Sequence, residues 1–397
     1  MSSNRQHFTV IGLSDEQQAT LPQEALEAIA AGKVFSGGKR HHEIVAHLLP
    51  AGARWIDITV PLDAVFEQYK ACPEVVVFAS GDPLFFGFAG TLRDRLPEAA
   101  LSVIPIFNSL QMLAHALSLP YQEMRAVSLT GRPWPRFDQA LIEGERLMGV
   151  LTDRVHTPAV IAARMLEYGY DDYRMHVGEC LGNRAAQRIW SGELQDAAAM
   201  EFAFPNCLLL ERTAVHRRPF GLSEKEFDLL DGRVNMITKM PIRLLTLSML
   251  DLRGRRNFWD VGFCTGSISI EARLQFPHLN VTAFEIREAG RELIANNARR
   301  FGAPGIDVRI GDFLEADLSG LPAPDAVFIG GHGGKLPEMV RRIAEVLAPG
   351  GVIVFNGVSE ETRTLFRESV AAAGRRITGS MHVAVDAHNP IEILRAE

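Results

Sequence analysis

The chain has 397 residues, 47% of them hydrophobic and 22% charged, the composition of a soluble globular protein too long for one typical domain and suited to two. Its formal net charge of −7 argues against a dedicated nucleic-acid or membrane-surface binder, though not against a local basic pocket. Its four cysteines, Cys72, Cys180, Cys207 and Cys264, make no C-x-x-C pair, so reduced thiols are expected rather than a disulfide framework or a metal site.

The N-terminal "MSSNRQHFTVIG" runs directly into a strand pattern without a signal-peptide core, and no apolar run approaches the roughly 20 residues that span a bilayer. A cytoplasmic location is therefore expected. In chain order, "HFTVIGL", "ARWIDI", "EVVVFAS", "LSVIPI", "RAVSLTG" and "RLMGVLT" are short β-branched runs, separated by helical stretches such as "HHEIVAHLL" and "TPAVIAARMLEYG". This alternation predicts an α/β fold with a parallel-rich sheet covered on both sides. Further apolar runs follow at "YRMHVGE" and "NCLLLER". Charge, Pro and Gly in "RTAVHRRPFGLSEKEFDLLDG" then break the pattern, which puts a boundary near Arg217 and predicts domains 1–216 and 217–397.

A second alternation begins with the strand "RNFWDVG" and the helix "SISIEARLQF". The strand "NVTAFEI", the helix "EAGRELIANNARRFG" and the strands "IDVRIGD", "PDAVFIGG" and "GVIVFNG" follow, with a helix over "KLPEMVRRIAEVL" between the last two strands. In that helix Leu336, Met339, Val340, Ile343 and Leu347 recur at three-and-four spacing and define a core face.

Four features of this second half line up as a nucleoside-binding sheet requires. The turn Gly262, Phe263, Cys264, Thr265, Gly266 joins a strand to a helix, with glycines that permit positive φ and close approach of a ligand. Glu285 ends the next strand, where such folds place an acid to accept hydrogen bonds from ribose hydroxyls. Asp312 in "GDF" ends the third strand, placed to frame an adenine, and "GGHGGKL" at 330–336 follows the fourth, over the reaction site. The turn is neither G-x-G-x-x-G nor a P-loop, because Cys264 stands where a pyrophosphate needs a glycine. A ligand without phosphates suits it better, and S-adenosylmethionine is one.

These residues carry a resemblance. "MITKMPIRLLTLSMLDL", "WDVGFCTGSISIEA", "FEI", "GDF" and "VFIGGHGGKL" resemble the C-terminal half of the decarboxylating precorrin-6Y C(5,15)-methyltransferase family of cobalamin biosynthesis, a class I, Rossmann-like methyltransferase fold. The resemblance implies that Thr238, the turn from Gly262 to Gly266, Glu285 and Phe313 contact the methyl donor. In the first half, "FSGGKRHHEIV", "ASGDPLFFG", "PIFNSLQMLAHALSLPYQEMRAVSLTGR", "VLTDRVHTPAVIA" and "VGECLGNRAAQRI" are similar in order and spacing to the tetrapyrrole (class III) methyltransferases, whose fold has two α/β lobes. There the resemblance implies a donor beside Gly81, Asp82, Pro83 and Ser109. It also implies a reaction on a tetrapyrrole (precorrin): S-adenosylmethionine-dependent methylation at carbons 5 and 15, decarboxylation of the carbon-12 acetate arm, and one donor site per domain. Neither metal nor further cofactor is required, no nucleic acid or membrane partner is expected, and a homo-oligomer is compatible with the family.

A polyanionic substrate needs local positive charge. The expected sources are Lys39, Arg40, His41, His42, Arg132, Arg184 and Arg188 in the first half, and Lys239, Arg243, His332 and Lys335 in the second. Lys39, Arg40, His41 and Lys335 are the expected substrate-binding residues. His332, between two glycine pairs, is the expected catalytic residue, guiding a carboxylate or moving a proton. Glu271 reads as structural and Cys264 as a small, unreactive thiol. Three alternatives stay open at this point: the cobalt-precorrin counterpart of the anaerobic pathway, an NAD-dependent oxidoreductase built on the second sheet, and a fusion in which one half is inactive.

Overall fold

The structure, a computed structural model, describes residues 5–16, 21–215, 218–233, 236–385 and 390–397. The chain divides into two compact units. One comprises Met1–Arg132, Glu145–Ala163 and Tyr173–Thr213; the other comprises Pro133–Gly144, Arg164–Asp172 and Ala214–Glu397. The boundary expected near Arg217 lies outside the described residues.

In the first unit, β1 (His7–Leu13), β2 (Val34–Gly37), β3 (Arg54–Asp57), β4 (Glu74–Ser80) and β5 (Ala100–Ile104) form a parallel sheet in the order β3-β2-β4-β1-β5. The two-residue period of β4 divides its side chains between two cores. Val75, Val77 and Ala79 pack with Phe8, Val10 and Tyr69, while Val76 and Phe78 pack with Ile11, Phe35 and Ile104. This sheet is buried on both faces, as a parallel sheet must be.

A second sheet in the same unit contains β6 (Arg125–Ser128), β7 (Leu147–Leu151), β8 (Tyr173–Glu179), β9 (Arg188–Glu193) and β10 (Asn206–Arg212), in the order β6-β7-β10-β8-β9. Here the expectation of one parallel-rich sheet fails. Only β6 and β7 pair in parallel, and β7–β10, β10–β8 and β8–β9 are antiparallel. The segment joining β8 to β9 is shorter than the dozen or so residues a parallel crossover needs.

The second unit holds a sheet of β11 (Asn257–Val261), β12 (Asn280–Glu285), β13 (Ile306–Ile310), β14 (Ala326–Ile329), β15 (Val352–Gly357), β16 (Ile377–Val383) and β17 (Ile391–Ala396). Their order is β13-β12-β11-β14-β15-β17-β16, parallel through β15 and antiparallel at the β17 and β16 end. The strand order reverses at β11, where open α/β sheets leave a ligand crevice beyond the strand ends. Trp259, Val261, Phe284 and Ile329 face one core with Leu336, Met339, Val340 and Ile343, the buried side of the helix Leu336–Val346. Phe258, Val281 and Phe328 face the other with Ile242, Leu247 and Leu250 of the helix Met240–Leu250. Among the described residues no helix is long and apolar enough to cross a membrane, and no group of His, Cys, Asp and Glu could hold a metal ion.

Candidate active site

Strand register brings the four features of the second half to one edge. Val261 lies opposite Phe284 on β12 and Ile329 on β14, and Glu285 lies opposite Ile310 on β13. Backbone bonds carry this alignment past the strands: Gly262 N–H to Phe284 O (2.8 Å), Gly330 N–H to Val261 O (2.8 Å) and Gly311 N–H to Glu285 O (2.9 Å). The turn after β11, the acid after β12, "GDF" and the glycine-rich loop therefore share the C-terminal edge of the sheet.

Gly262 and Gly266 have φ of 77° and 76°, the left-handed region expected of them. Where a Cβ would stand, both glycines already face protein at close range. A Cβ on Gly262 would lie 2.4 Å from Gly331 O, and one on Gly266 would lie 2.4 Å from Ile294 Cγ1. Cys264 between them is also left-handed, at φ 56°. Two bonds hold this unusual backbone in place: its N–H donates to Glu285 Oε2 (3.0 Å) and its Sγ donates to Met236 O (2.8 Å). Burial pushes the thiol pKa up, so it stays protonated and structural. Phe263 is buried with Ile270 and Ile294. Thr238 is tied into the same region by its carbonyl, which accepts from Arg243 Nη1 at 2.9 Å.

Glu285 is 3% exposed and its acceptor positions are taken. Oε1 accepts from Arg287 N (3.1 Å) and Arg287 Nε (2.8 Å), and Oε2 accepts from Arg287 Nη2 (3.0 Å) and from Cys264 N. Burial works against its charge, yet the Arg287 side chain and these N–H groups hold the pKa below the usual value. Arg287 escaped sequence reading; the signal was the E-x-R spacing at a strand end. Asp312 Oδ1 accepts from Leu314 N (3.0 Å) and its Oδ2 pairs with Lys335 Nζ (2.8 Å). Lys335, expected to serve substrate carboxylates, is therefore held by the acid expected at the adenine. Phe313 turns its ring into the core, 5.1 Å from Phe284 and 6.3 Å from Trp259.

His332 Nδ1 accepts from Gly334 N–H (3.2 Å), and burial lowers the pKa of the ring. A neutral imidazole with Nδ1 so used carries its proton on Nε2 and offers a donor there. Within β11 and the turn, Asp260 Oδ1, Thr265 Oγ1 and Trp259 Nε1 are buried without a protein partner. All three residues are 0–1% exposed, and the Trp259 ring packs in the core against Phe284 and Phe313. Asp260 Oδ2 accepts from Ser269 N (3.1 Å) and Ser269 Oγ (2.6 Å), and burial pushes its pKa up to about 7.

Arg243 was expected among the cations available to substrate. It is not one: both it and Glu271 are fully buried, and they pair at 3.1 Å. Glu271 also accepts from Gly221 N (3.1 Å) and Leu222 N (2.9 Å), the structural role read from the sequence.

In the first unit, the ends of β1, β4 and β5 meet backbone to backbone. A Cβ on Gly12 would sit 2.0 Å from Gly81 O, and one on Gly81 would sit 3.0 Å from Asn108 Cα. Gly81 N–H donates to Leu13 O (2.8 Å), Asp82 Oδ1 caps the turn through Leu84 N (2.9 Å), and Pro83 is buried. Asn108 caps the helix Ser109–Ala116 in a reciprocal pair with Gln111, which fixes Ser109 at its first position. Arg40 and His41 reach this edge: Arg40 Nη2 and His41 Nε2 lie 3.1 and 2.9 Å from Ser80 Oγ. His41 is not the expected cation, because burial and then the charge of Arg40 lower its pKa to about 4. Arg40 pairs with Asp15 at 3.2 Å, His42 stacks on Trp55 at 4.1 Å, and Lys39 is exposed. Arg132, Arg184 and Arg188 are engaged by Ser128, Glu16 and Glu179.

A family model described as tetrapyrrole (corrin/porphyrin) methylases matches residues 7–198, and one described as a precorrin methyltransferase domain matches 231–394. A precorrin-6Y C(5,15)-methyltransferase [decarboxylating] from Sinorhizobium sp is 33% identical over 372 residues, which cover 92% of this chain and 88% of that protein. Two Salmonella typhimurium proteins match smaller parts. One is a cobalt-precorrin-6B C(15)-methyltransferase (decarboxylating), 42% identical over 33% of this chain and 67% of its own. The other is a cobalt-precorrin-7 C(5)-methyltransferase, 27% identical over 46% of this chain and 89% of its own. With both family models in this order and a relative this similar along nearly its whole length, the chain belongs to the precorrin-6Y C(5,15)-methyltransferase (decarboxylating) family.

Proposed function

We propose that the two halves, 1–216 and 217–397, divide the family reaction, each with its own S-adenosylmethionine site. The first methylates carbon 5 of the precorrin, and the second methylates carbon 15 and removes the acetate carboxyl at carbon 12. As a family member the chain is an S-adenosylmethionine-dependent C-methyltransferase of cobalamin biosynthesis acting on a tetrapyrrole precursor. The division is supported by the two shorter relatives, whose names separate a C(15) reaction with decarboxylation from a C(5) reaction.

The donor brings an activated methyl sulfonium, so the protein's task is alignment and exclusion of water. In the second half Glu285 is the residue for the ribose hydroxyls, with Asp312 at the adenine and the turn from Gly262 to Gly266 at the methionine end. The observation that carries this reading is the Cys264 N–H bond to Glu285 Oε2, which joins turn and acid into one rigid edge. His332 presents Nε2–H to a substrate carboxylate, and Lys335 adds charge beside it. In the first half Gly81, Asp82, Pro83 and Ser109 form the donor edge, and Lys39, Arg40 and His41 the substrate side, with His41 acting as a neutral donor.

Mass spectrometry of the tetrapyrrole product tests the division. The whole chain is expected to add two methyl groups and lose carbon dioxide. Gly81→Val is expected to leave one methylation with decarboxylation, and Glu285→Ala to leave one methylation without it. Loss of both methylations in either folded variant would refute the division.

A further inference from the structure

An ionised carboxylate has about four acceptor positions. All four on Glu285 are filled, two by backbone N–H groups of Arg287 and Cys264 and two by the Arg287 guanidinium. A ribose diol donating to Glu285 needs two of them. The backbone donors cannot withdraw without dismantling the turn after β11 and the exit from β12. The guanidinium can, because the Arg287 side chain is 38% exposed while that of Glu285 is 2% exposed.

We propose that Arg287 sets the donor affinity of the second half: its guanidinium holds the acceptor positions that the ribose hydroxyls use and leaves when the donor binds. This rests on the reading of Glu285 as the ribose acid. The protein thereby keeps a buried carboxylate paired when no donor is present, avoiding an uncompensated buried charge. The cost falls on binding, since a charge-assisted fork must be broken for each donor taken up. The same exchange favours release of the spent donor, because Arg287 is adjacent and ready to return.

Calorimetric titration of the full chain with S-adenosylhomocysteine tests this, using Glu285→Ala to mark the second-half site as the binding it removes. Arg287→Met is expected to bind at that site about tenfold more tightly, a gain of about 1.4 kcal/mol. Arg287→Lys, which keeps charge but not the fork, is expected to fall between. A residue that merely supports the fold would give unchanged or weaker binding in Arg287→Met, and that result would overturn the proposal. If Glu285→Ala leaves the titration intact, the ribose reading itself fails; if it removes a site that Arg287→Met does not tighten, only the role of Arg287 fails.

Discussion

The backbone N–H of Cys264 donates to Oε2 of Glu285 across 3.0 Å, binding the turn after one strand to the acid that ends its neighbour. The left-handed backbone of Cys264 is thus held by the acid one strand away.

Replacing Glu285 by Gln keeps its size and removes the charge behind these bonds. Hydrogen bonds to a charged group contribute about 1.5–3 kcal/mol each. Binding of S-adenosylhomocysteine at the second-half site is expected to weaken ten- to hundredfold, with far-ultraviolet circular dichroism unchanged. Calorimetry on the variant checks this.

At Gly262 a side chain would meet both an unfavourable φ of 77° and the Gly331 carbonyl at 2.4 Å. Gly262→Ala is expected to push the loop at 330–335 away from the turn and cost about 1–3 kcal/mol of stability. The product should then retain only the carbon-5 methyl group, which mass spectrometry reads directly.

Arg243 and Glu271 form an ion pair with no exposed side-chain surface. Arg243→Met leaves Glu271 charged and buried, and chemical denaturation is expected to show a loss of about 3–5 kcal/mol. The double variant Arg243→Met with Glu271→Leu should recover only part of that loss, because no lone charge remains but the Gly221 and Leu222 N–H groups lose their acceptor.

The two units are expected to answer pH with opposite sign. His41 in the first is neutral down to about pH 4, whereas an unfolded histidine protonates near 6.5. Its contribution is present above pH 6.5 and is lost as pH falls towards 4. Asp260 in the second keeps its proton to about pH 7, whereas an unfolded aspartate loses it near 3.8. That contribution is present below pH 3.8 and is lost as pH rises through 7. Scanning calorimetry should show His41→Gln flattening the acid limb, and Asp260→Asn flattening the neutral limb while raising stability at pH 8.

The second half was largely legible because its parallel strands are short apolar runs ended by glycine or acid. Gly262, Glu285, Asp312 and Gly330 each follow or end such a run, and parallel register places their strand ends together. The helix face of Leu336, Met339, Val340 and Ile343 was equally plain from its period. Charge pairing was not legible. Spacing does not reveal that Arg243 turns inward to Glu271, that Lys335 reaches Asp312, or that Arg287 folds back on Glu285. His41 looked cationic because burial, which removes its charge, is a property of the fold. The antiparallel β16 is not legible because "ITGSMHV" carries little apolar alternation, its strand being mostly exposed.

Gly12 and Gly81 impose a limit of a different kind. Where a side chain on Gly12 would begin, the Gly81 carbonyl already lies 2.0 Å away, and Gly81 in turn abuts the backbone of Asn108. No neighbouring rotamer can relieve a collision between main chains, so second-site suppressors within the core have nothing to adjust. In a saturation library Gly12 should tolerate no substitution and Gly81, at φ 65°, few, while Leu84, exposed only a few residues away, remains free to drift. Variation in this chain can therefore accumulate around the first-half edge but not where its main chains touch.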